Sequence, residues 1–270
     1  MMFLYLFSCL IILYMVGLWL NFILPLPPRK GLSILMYHKV SDDKADGLTI
    51  PVPVLDQQLS FIRDKGYTVI NFKELHSMIS EGSALPLNPL ILTFDDAYEN
   101  FKTHALPLLL KYNFKATVFV PVGYMGKTNI WDQGKESIMG PEMIKELTRT
   151  GSTEIGLHSF KHKSYRFFDI DRMKEDLNNC FKTMAEYMIP FVPVLAYPFG
   201  GFPWDNKILL HEMKKFFRES GLNFAVRIGN RINPLPVSDP FELKRIDIKG
   251  TDDFHTFKIK LKKGRIKLIS

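Results

Sequence analysis

Short runs of consecutive apolar residues alternate along the chain with longer stretches in which apolar residues recur every three or four positions. The short runs predict strands buried on both faces, at 32–37, 67–70, 89–94, 115–120, 153–157, 192–197, 223–228 and 243–248. The helical spacing predicts helices at 55–64, 72–80, 98–112, 141–150, 169–187 and 205–219. This alternation predicts an α/β fold. The number of strand–helix units favours a (β/α) barrel, regular or distorted, with seven or eight strands, over an open sheet.

The first apolar run is much longer than the others. Residues 3–24 are almost wholly apolar, and residues 1–28 contain no charged side chain. Because a helix needs about 20 apolar residues to cross a bilayer, this run predicts one N-terminal transmembrane helix. A cleaved signal peptide is the alternative interpretation, but its basic start, shorter apolar core and A-x-A-like site are not visible in the sequence.

The charges next to this segment predict its orientation. The first charged residues, Arg29 and Lys30, follow the apolar run, and no basic residue precedes it. By the positive-inside rule we expect a single-pass protein of the inner membrane with its globular part in the cytoplasm. The two cysteines, Cys9 and Cys180, provide no disulfide framework and do not decide the compartment.

The net charge of +7 is concentrated at the C-terminus, where residues 257–270 contain six Lys or Arg and no acid. This basic tail can be interpreted as an exposed strand pair around Gly264, or as a segment held against anionic lipid headgroups. The rest of the globular part is nearly neutral and lacks interleaved aromatic and basic residues, so we expect no nucleic-acid partner. We predict three parts: a membrane anchor at 1–28, one globular domain at 29–250 and a basic tail at 251–270.

Residues that can carry chemistry stand where several of the predicted strands end. They are Asp95 and Asp96 after 89–94, His158 and His162 after 153–157, Pro198, Phe199 and Gly200 after 192–197, and His38 after 32–37. In parallel α/β folds the functional residues lie beyond the carboxyl ends of the strands. We therefore expect these side chains on one rim of the barrel.

The types of these residues indicate metal-assisted hydrolysis. One aspartate and two histidines make three metal ligands and leave positions open for water and substrate, as in catalytic sites. The second aspartate could then take a proton from the attacking water. A set of two histidines and one carboxylate is also typical of iron oxygenases, but those usually have double-sheet β folds. Each motif alone is weak, because paired aspartates are often a helix N-cap and two histidines can lie in a surface loop.

Three ordered segments resemble the first three motifs of the polysaccharide deacetylases, the NodB-homology group or carbohydrate esterase family 4. They are LTFDDAYEN, EIGLHSFKH and LAYPFGGF. The flanking segments LMYHKV, LPLLLKYNFKATVFV and FELKRIDI agree, so the resemblance covers about residues 31–250. It implies that Asp95 is the general base. It also implies that Asp96, His158 and His162 bind a divalent metal, with zinc preferred over cobalt, manganese or nickel.

The resemblance also suggests roles for two residues on the substrate side of the predicted centre. Phe199 matches the aromatic position whose backbone N–H helps to form the oxyanion site, and such donors act on charge that develops in the transition state. His38 resembles a substrate-side residue of the branch that acts on poly-N-acetylglucosamine. The late leucine–x–histidine of many members is not evident. Protonation of the leaving group is therefore open between His38 and Asp95.

Other departures and two tryptophans leave alternatives open. Ala196 stands where many members have an arginine, so we expect Asp95 to lack its usual charged neighbour. Ala97 replaces the glycine that usually follows the two aspartates. Trp131, which follows the predicted strand 115–120 at the same rim, is interpreted equally as a sugar-stacking platform or as a core or interfacial residue, and Trp204 has the same two interpretations.

The resemblance implies a metal-dependent N-deacetylase of an N-acetylated amino sugar. With the predicted anchor and basic tail, we expect a lipid-linked substrate, a polyprenyl-phosphate N-acetylhexosamine used in lipid A or envelope glycan modification. The alternative is an exported deacetylase of poly-N-acetylglucosamine, peptidoglycan or a chitin-like polysaccharide. A third hypothesis is an inactive, membrane-tethered glycan-binding module. The expected partners are therefore the sugar substrate, the membrane and anionic headgroups.

Overall fold

The computed structural model describes residues 2–23, 31–132 and 135–264. Its helices are α1 Met2–Ile23, α2 Val52–Asp64, α3 Phe72–Ser80, α4 Leu106–Tyr112, α5 Pro141–Arg149, α6 Ile170–Glu186, α7 Lys207–Glu219 and α8 Phe254–Lys263. Its strands are β1 Ser33–Tyr37, β2 Lys39–Ser41, β3 Thr49–Pro51, β4 Thr68–Val69, β5 Pro89–Phe94, β6 Ala116–Val120, β7 Thr153–Leu157, β8 Val194–Ala196, β9 Phe224–Ile228 and β10 Leu243–Asp247. A π-helical segment, Phe101–Ala105, leads into α4.

Seven parallel strands close into a barrel. The ring runs β1, β10, β9, β8, β7, β6 and β5, and β5 closes it by pairing again with β1. The short strand β4 pairs with the start of β5, outside this ring, and β2 and β3 form a separate pair. The predicted (β/α) barrel is therefore confirmed, with seven strands in its wall.

Alternation along the strands separates two apolar clusters. Ile34, Ile91 and Phe119 belong to the smaller cluster, which also contains residues of α3. Their strand neighbours belong to the larger cluster, between the strands and the surrounding helices. Because successive side chains of a strand point to opposite faces, the smaller cluster fills the barrel interior. A Cβ at Gly156 would lie 2.5 Å from the ring of Phe119, so the glycine makes room for this interior ring.

A buried carboxylate closes the amino-terminal end of the barrel. Glu154 of β7 accepts hydrogen bonds from the backbone N–H of Phe72 at 2.8 Å and of Lys73 at 3.2 Å, and from the hydroxyl of Thr117 at 2.7 Å. The two N–H groups are the first of α3, where a carboxylate is favourable. Burial raises the pKa of Glu154, although these hydrogen bonds oppose the shift. With α3 fixed over this end, the opposite rim is left for chemistry.

Residues Phe254–Lys263 of the predicted tail form helix α8. The expectation of a strand pair around Gly264 is wrong, because α8 ends there and Gly264 is its left-handed C-cap. Phe257 and Leu261 of α8 are buried against the barrel. Lys260 is also buried, and its Nζ donates to the carbonyl of Asp247 at 2.8 Å and to Asp252 at 2.5 Å. Residues 265–270, the end of the predicted tail, lie outside the described residues.

The predicted membrane anchor falls partly on α1, and residue 1 and residues 24–28 of it lie outside the described residues. Across the ranges that the structure describes, no helix combines the length and the apolarity needed to span a bilayer. The transmembrane helix and the membrane location therefore stay predictions.

Candidate metal centre and hydrolytic site

A cavity of about 430 Å³ opens at the carboxyl ends of the barrel strands. Its lining includes all the predicted site residues: His38, Asp95, Asp96, His158, His162 and Phe199. A larger cavity, of about 570 Å³, lies at the other end, beside α3, and none of its lining residues belongs to the predicted site. We place the functional site in the smaller cavity because the chemically competent groups converge there.

Asp96, His158 and His162 form a compact cluster. Oδ1 of Asp96 lies 3.1 Å from Nε2 of His162 and 3.5 Å from Nε2 of His158. One ligand atom from each residue lies within 4.8 Å of the others, and all three side chains are buried. Asp96 Oδ1 is buried and has no hydrogen-bond partner among the described residues. An uncompensated carboxylate oxygen facing two imidazoles is the arrangement that a divalent cation satisfies, so the residues fit a metal.

Hydrogen bonding and burial prepare His158 as a ligand. Its Nδ1 lies 2.8 Å from the carbonyl oxygen of Ala196. This contact assigns the proton to Nδ1 and leaves Nε2, which faces Asp96, with its lone pair free. Burial lowers the pKa of His158 to about 4, so the ring is neutral at physiological pH.

The backbone around the cluster adopts left-handed conformations at several residues that are not glycine. The φ angles are +69° at Asp96, +51° at Ala97, +60° at Ser159, +50° at His162 and +58° at Phe199. Such conformations are uncommon outside glycine and are typical of functional sites. The angle at Ala97 also explains why glycine suits the position after the two aspartates, because glycine adopts this region without strain.

Asp176 of α6 holds the loop that carries the second histidine. Its carboxylate accepts hydrogen bonds from the backbone N–H of Phe160, at 3.0 and 3.1 Å, and from the hydroxyl of Tyr165 at 2.9 Å. Phe160 lies between His158 and His162 in the chain. The buried aspartate therefore fixes the strained segment between the two candidate ligands, and the sequence analysis did not identify it.

Asp95 makes a bidentate ion pair with Arg245 inside the barrel. Nη1 lies 2.5 Å from Oδ1 and Nη2 lies 2.7 Å from Oδ2, and Arg245 is 1% exposed. The expectation that Asp95 lacks a charged neighbour, drawn from Ala196, is wrong. The guanidinium comes from β10, whose inward-facing residues alternate with outward-facing ones. An arginine inside the apolar strand segment FELKRIDI was the signal that could have revealed it.

The surroundings of Asp95 keep it ionised. Burial alone would raise the pKa of its carboxyl, but the favourable interactions around it, with the Arg245 guanidinium foremost among them, together outweigh burial and hold the pKa below its usual range. Oδ2 of Asp95 also lies 3.8 Å from Nε2 of His158 and 3.9 Å from Nε2 of His38. Asp95 therefore lies between the candidate metal ligands and His38, as a charged acceptor next to the metal cluster.

Trp131 packs directly on the cluster. Its Nε1 donates a hydrogen bond to Oδ2 of Asp96 at 3.3 Å. Its ring stacks on His162 with centroids 4.0 Å apart and an interplanar angle of 28°. The loop carrying Trp131 is anchored by a neighbouring ion pair, in which Lys39 Nζ lies 3.1 Å from Asp132 Oδ2. Trp131 therefore helps to orient two candidate ligands, a role that neither of its sequence interpretations included.

Phe199 and Trp204 lie farther out than Trp131. Phe199 is 61% exposed and contacts His162 edge to face, with ring centroids 4.8 Å apart. Trp204 is 57% exposed, and the guanidinium of Arg166 covers one face of its ring at 4.9 Å. Trp204 is not among the residues that line the cavity. Its role as a sugar platform stays a prediction, as does the N–H of Phe199 as an oxyanion donor.

The sequence is similar to known deacetylases. Residues 84–216 match the family described as polysaccharide deacetylase. Poly-beta-1,6-N-acetyl-D-glucosamine N-deacetylase of Escherichia coli (strain K12) is 27% identical over 256 residues, which cover 79% of this chain and 38% of that protein. The protein of the same name from Staphylococcus aureus (strain MRSA252) is 21% identical over 237 residues, covering 84% of this chain and 77% of that one. This chain therefore spans well under half the length of the E. coli relative.

The fold is also shared with a solved structure. A de-N-acetylase from Aggregatibacter actinomycetemcomitans superposes with a TM-score of 0.70 at 19% identity, over 85% of this chain and 99% of that one. A likeness at this low identity shows the fold alone. It agrees with the closed seven-stranded barrel of this chain.

Proposed function

Because residues 84–216 belong to the polysaccharide deacetylase family, we propose that this chain is a metal-dependent hydrolase that removes the N-acetyl group of an amino sugar. One observation carries the proposal. The buried cluster of Asp96, His158 and His162 lies beside an ionised Asp95 in one cavity. Metal-assisted hydrolysis requires a set of metal ligands next to a charged base, and this cavity contains both.

We propose zinc as the first choice of metal, with cobalt, manganese and nickel as alternatives that the same donor set accepts. When bound to Asp96, His158 and His162, the cation would lower the pKa of a water ligand and polarise the amide carbonyl. The two imidazoles and one carboxylate leave positions open for water and substrate. Trp131 and the Ala196 carbonyl orient the ligands, as neighbours of metal sites commonly do.

Asp95 serves as the general base in this proposal. It is not needed as a ligand, and its low pKa keeps the carboxylate ready to accept the proton of the attacking water. Arg245 holds both of its oxygens and so fixes the direction from which a proton can approach. The backbone N–H of Phe199, at the edge of the same cavity, stabilises the oxyanion that forms on the acetyl carbonyl.

His38 is the candidate donor of a proton to the leaving nitrogen. Its ring is 3.9 Å from Asp95, and its side chain is 14% exposed at the cavity wall. A proton that Asp95 takes from water can pass to His38 or directly to the amine, so the C–N bond breaks to give acetate and a free amine. Replacing His38 separates these two routes, because only the first requires the imidazole.

For the substrate we propose a polymer of N-acetylated glucosamine. The E. coli and S. aureus relatives are named for poly-beta-1,6-N-acetyl-D-glucosamine, which supports the polymer more than the lipid-linked sugar that the sequence analysis preferred. The lipid-linked hypothesis still depends on the apolar segment 3–24 and the basic tail. The two hypotheses place the barrel on different sides of a membrane, and a reporter fused after Ser270 tests the expectation that the barrel is cytoplasmic.

The experiment that tests the function is acetate release by the full chain, purified in detergent and loaded with zinc. The substrates are β-1,6-linked N-acetylglucosamine oligomers and, separately, a polyprenyl-phosphate N-acetylhexosamine. Asp95→Asn should keep zinc and lose activity, by about 10²–10⁴-fold. His158→Ala should lose both zinc and activity, whereas His211→Ala, on the exposed face of α7, should change neither. A folded wild type that binds zinc and releases acetate from neither substrate would refute the enzyme and favour the glycan-binding module.

A further inference from the structure

Of the described residues that line the catalytic cavity, four are aspartates: Asp95, Asp96, Asp132 and Asp247. Three are already engaged. Asp95 is paired with Arg245, Asp96 belongs to the metal cluster, and Asp132 is held by Lys39 and by the hydroxyl of Tyr98 at 3.2 Å. Asp247 differs from these three, because the proposed mechanism gives it no role and the ion pair that the described residues offer its carboxylate is 3.9 Å long.

The position of Asp247 is fixed through its backbone. Its N–H donates to Oδ1 of Asn230 at 3.0 Å, and its carbonyl accepts from the buried Lys260 of α8 at 2.8 Å. It follows Arg245 by two residues on β10, so both side chains point to the barrel interior. The C-terminal helix, through Lys260, thus supports one wall of the cavity.

The carboxylate of Asp247, by contrast, is accessible. Its side chain is 21% exposed, and the ion pair that it makes within the described part of the chain is with Nζ of Lys249 at 3.9 Å, which is beyond hydrogen-bond distance. Lys249 itself is half exposed. An ion pair of this kind contributes little to stability, so its oxygens can accept hydrogen bonds from a bound molecule.

The order of the strands around the barrel places Asp247 on the same side of the cavity as His38, the candidate proton donor to the leaving group. Its strand, β10, neighbours β1, and Met36 of β1 pairs with Asp247 in register. The chain of β1 then leads to His38, the candidate proton donor. His158, a candidate metal ligand, follows β7, which lies three strands away from β10 around the ring. A group bound to Asp247 would therefore lie on the His38 side of the cavity, opposite the strand of His158.

We propose that Asp247 binds the ammonium group of a deacetylated amino sugar unit. This inference rests on the proposed function, in which a neutral amide is hydrolysed to acetate and an amine that takes up a proton. An unengaged carboxylate in the same cavity favours that new positive charge. The ammonium can belong to the unit just deacetylated, or to a neighbouring unit deacetylated earlier. In both cases Asp247 distinguishes cationic from neutral sugars.

The test is calorimetric binding to the zinc-loaded full chain in detergent, which does not require turnover. The probes are glucosamine, a β-1,6 disaccharide with one free amine and one N-acetyl group, and the fully acetylated disaccharide. Asp247→Asn should weaken binding of the cationic probes about tenfold, as expected for loss of one charge-assisted hydrogen bond, and leave the acetylated probe within about twofold. Asp205→Asn, which removes a carboxylate paired with Arg166 outside the cavity lining, is the matched control and should change neither.

Lys249→Gln gives the decisive comparison. If Asp247 binds substrate ammonium, removal of the competing lysine should strengthen binding of the cationic probes. If the pair is only structural, Lys249→Gln and Asp247→Asn should weaken binding alike, and the inference fails. It also fails if Asp247→Asn affects cationic and acetylated probes equally or not at all.

The same titrations distinguish the two possible sources of the ammonium group. Together with the acetate-release assay, they also distinguish a failure of this inference from a failure of the proposed function. If Asp247→Asn weakens binding of glucosamine, the ammonium belongs to the unit just deacetylated. If it weakens binding of the mixed disaccharide alone, the ammonium belongs to a neighbouring unit. If the wild type releases acetate but Asp247→Asn binds every probe normally, only this inference is wrong. If the wild type binds the cationic probes through Asp247 but hydrolyses nothing, the proposed reaction is wrong and the binding role stands.

Discussion

The guanidinium of Arg245 forms two hydrogen bonds to the carboxylate of Asp95, with its two nitrogens 2.5 and 2.7 Å from the two oxygens, in the interior of the barrel. The residues are on β10 and at the end of β5, which are not neighbours but both pair with β1. Closure of the barrel therefore supplies Asp95 with the positive charge that Ala196 cannot provide. The ion pair that orients the proposed base therefore also connects two strands of the barrel.

We predict that Arg245→Met lowers both stability and activity. Removing one member of a buried ion pair leaves the other charge uncompensated and costs about 3–5 kcal/mol of unfolding free energy. Denaturant unfolding measures the stability, and acetate release from N-acetylglucosamine oligomers measures the activity. Arg63→Met, at an exposed position on α2, is the control and should be close to wild type. An Arg245→Met protein with normal activity would show that Asp95 needs no fixed orientation.

Much of the fold was predictable from local pattern, and the exceptions have physical reasons. The barrel strands were found because strands buried on both faces are continuous apolar runs. Helix α8 was missed because its lysines obscure the apolar positions Phe254, Phe257 and Leu261, which recur at helical spacing. Arg245 was missed because its partner is 150 residues away, and only the closed barrel brings them together.

The candidate site divides in the same way. Asp95, Asp96, His158 and His162 follow strand ends, where sequence alone predicts convergence. Asp176 and Trp131 lie in a helix and an irregular loop, and their importance depends on which backbone atoms and rings they contact. No spacing in the sequence reports such contacts. The structure was therefore needed to find the residues that hold the ligands in place.

We predict that Asp176→Ala weakens zinc binding without removing a ligand. The substitution leaves the N–H of Phe160 and the hydroxyl of Tyr165 unpaired, so the strained loop at His162 loses its fixed geometry. Supporting residues of metal sites typically contribute about 10–100-fold in affinity, and we expect a loss in that range by competition with a chelating dye. Tyr165→Phe removes only one of the hydrogen bonds and should have a smaller effect. Equal zinc affinity in all three proteins would contradict a positioning role for Asp176.

Trp131→Phe should separate the two contacts of the indole. Phenylalanine keeps an aromatic face for His162 but cannot donate to Oδ2 of Asp96, so we expect zinc affinity to fall by roughly tenfold. Trp204→Phe, at the exposed rim, is the matched control and should bind zinc normally. If both variants bind zinc as tightly as wild type, the hydrogen bond from Trp131 does not orient Asp96.

Bound zinc should also stabilise the fold. A ligand that binds only the native state at about 1,000 times its Kd adds about 4 kcal/mol to the unfolding free energy. Thermal unfolding with and without a chelator should therefore show a higher Tm for the zinc-loaded wild type and no difference for His158→Ala. A zinc-dependent Tm that persists in His158→Ala would place the metal elsewhere.

Glu154 should lower the free energy of unfolding as pH rises, whereas most carboxylates, whose pKa is lowered by folding, raise it. Burial raises its pKa in the folded state above the usual 4.5, so the fold favours the protonated form. Its contribution is fully present below pH 4.5 and is lost as pH rises through the raised folded value. Glu154→Gln cannot ionise, so its unfolding free energy relative to wild type should increase as pH rises from 4 towards neutrality.

The measurement is urea unfolding of both proteins at several pH values. Glu142→Gln, on the exposed face of α5, is the control and should show the same pH dependence as wild type. The contrary result is that wild type becomes more stable relative to Glu154→Gln as pH rises. That result would show that the fold stabilises the charged form of Glu154, because the hydrogen bonds from Phe72 and Lys73 outweigh the cost of burial.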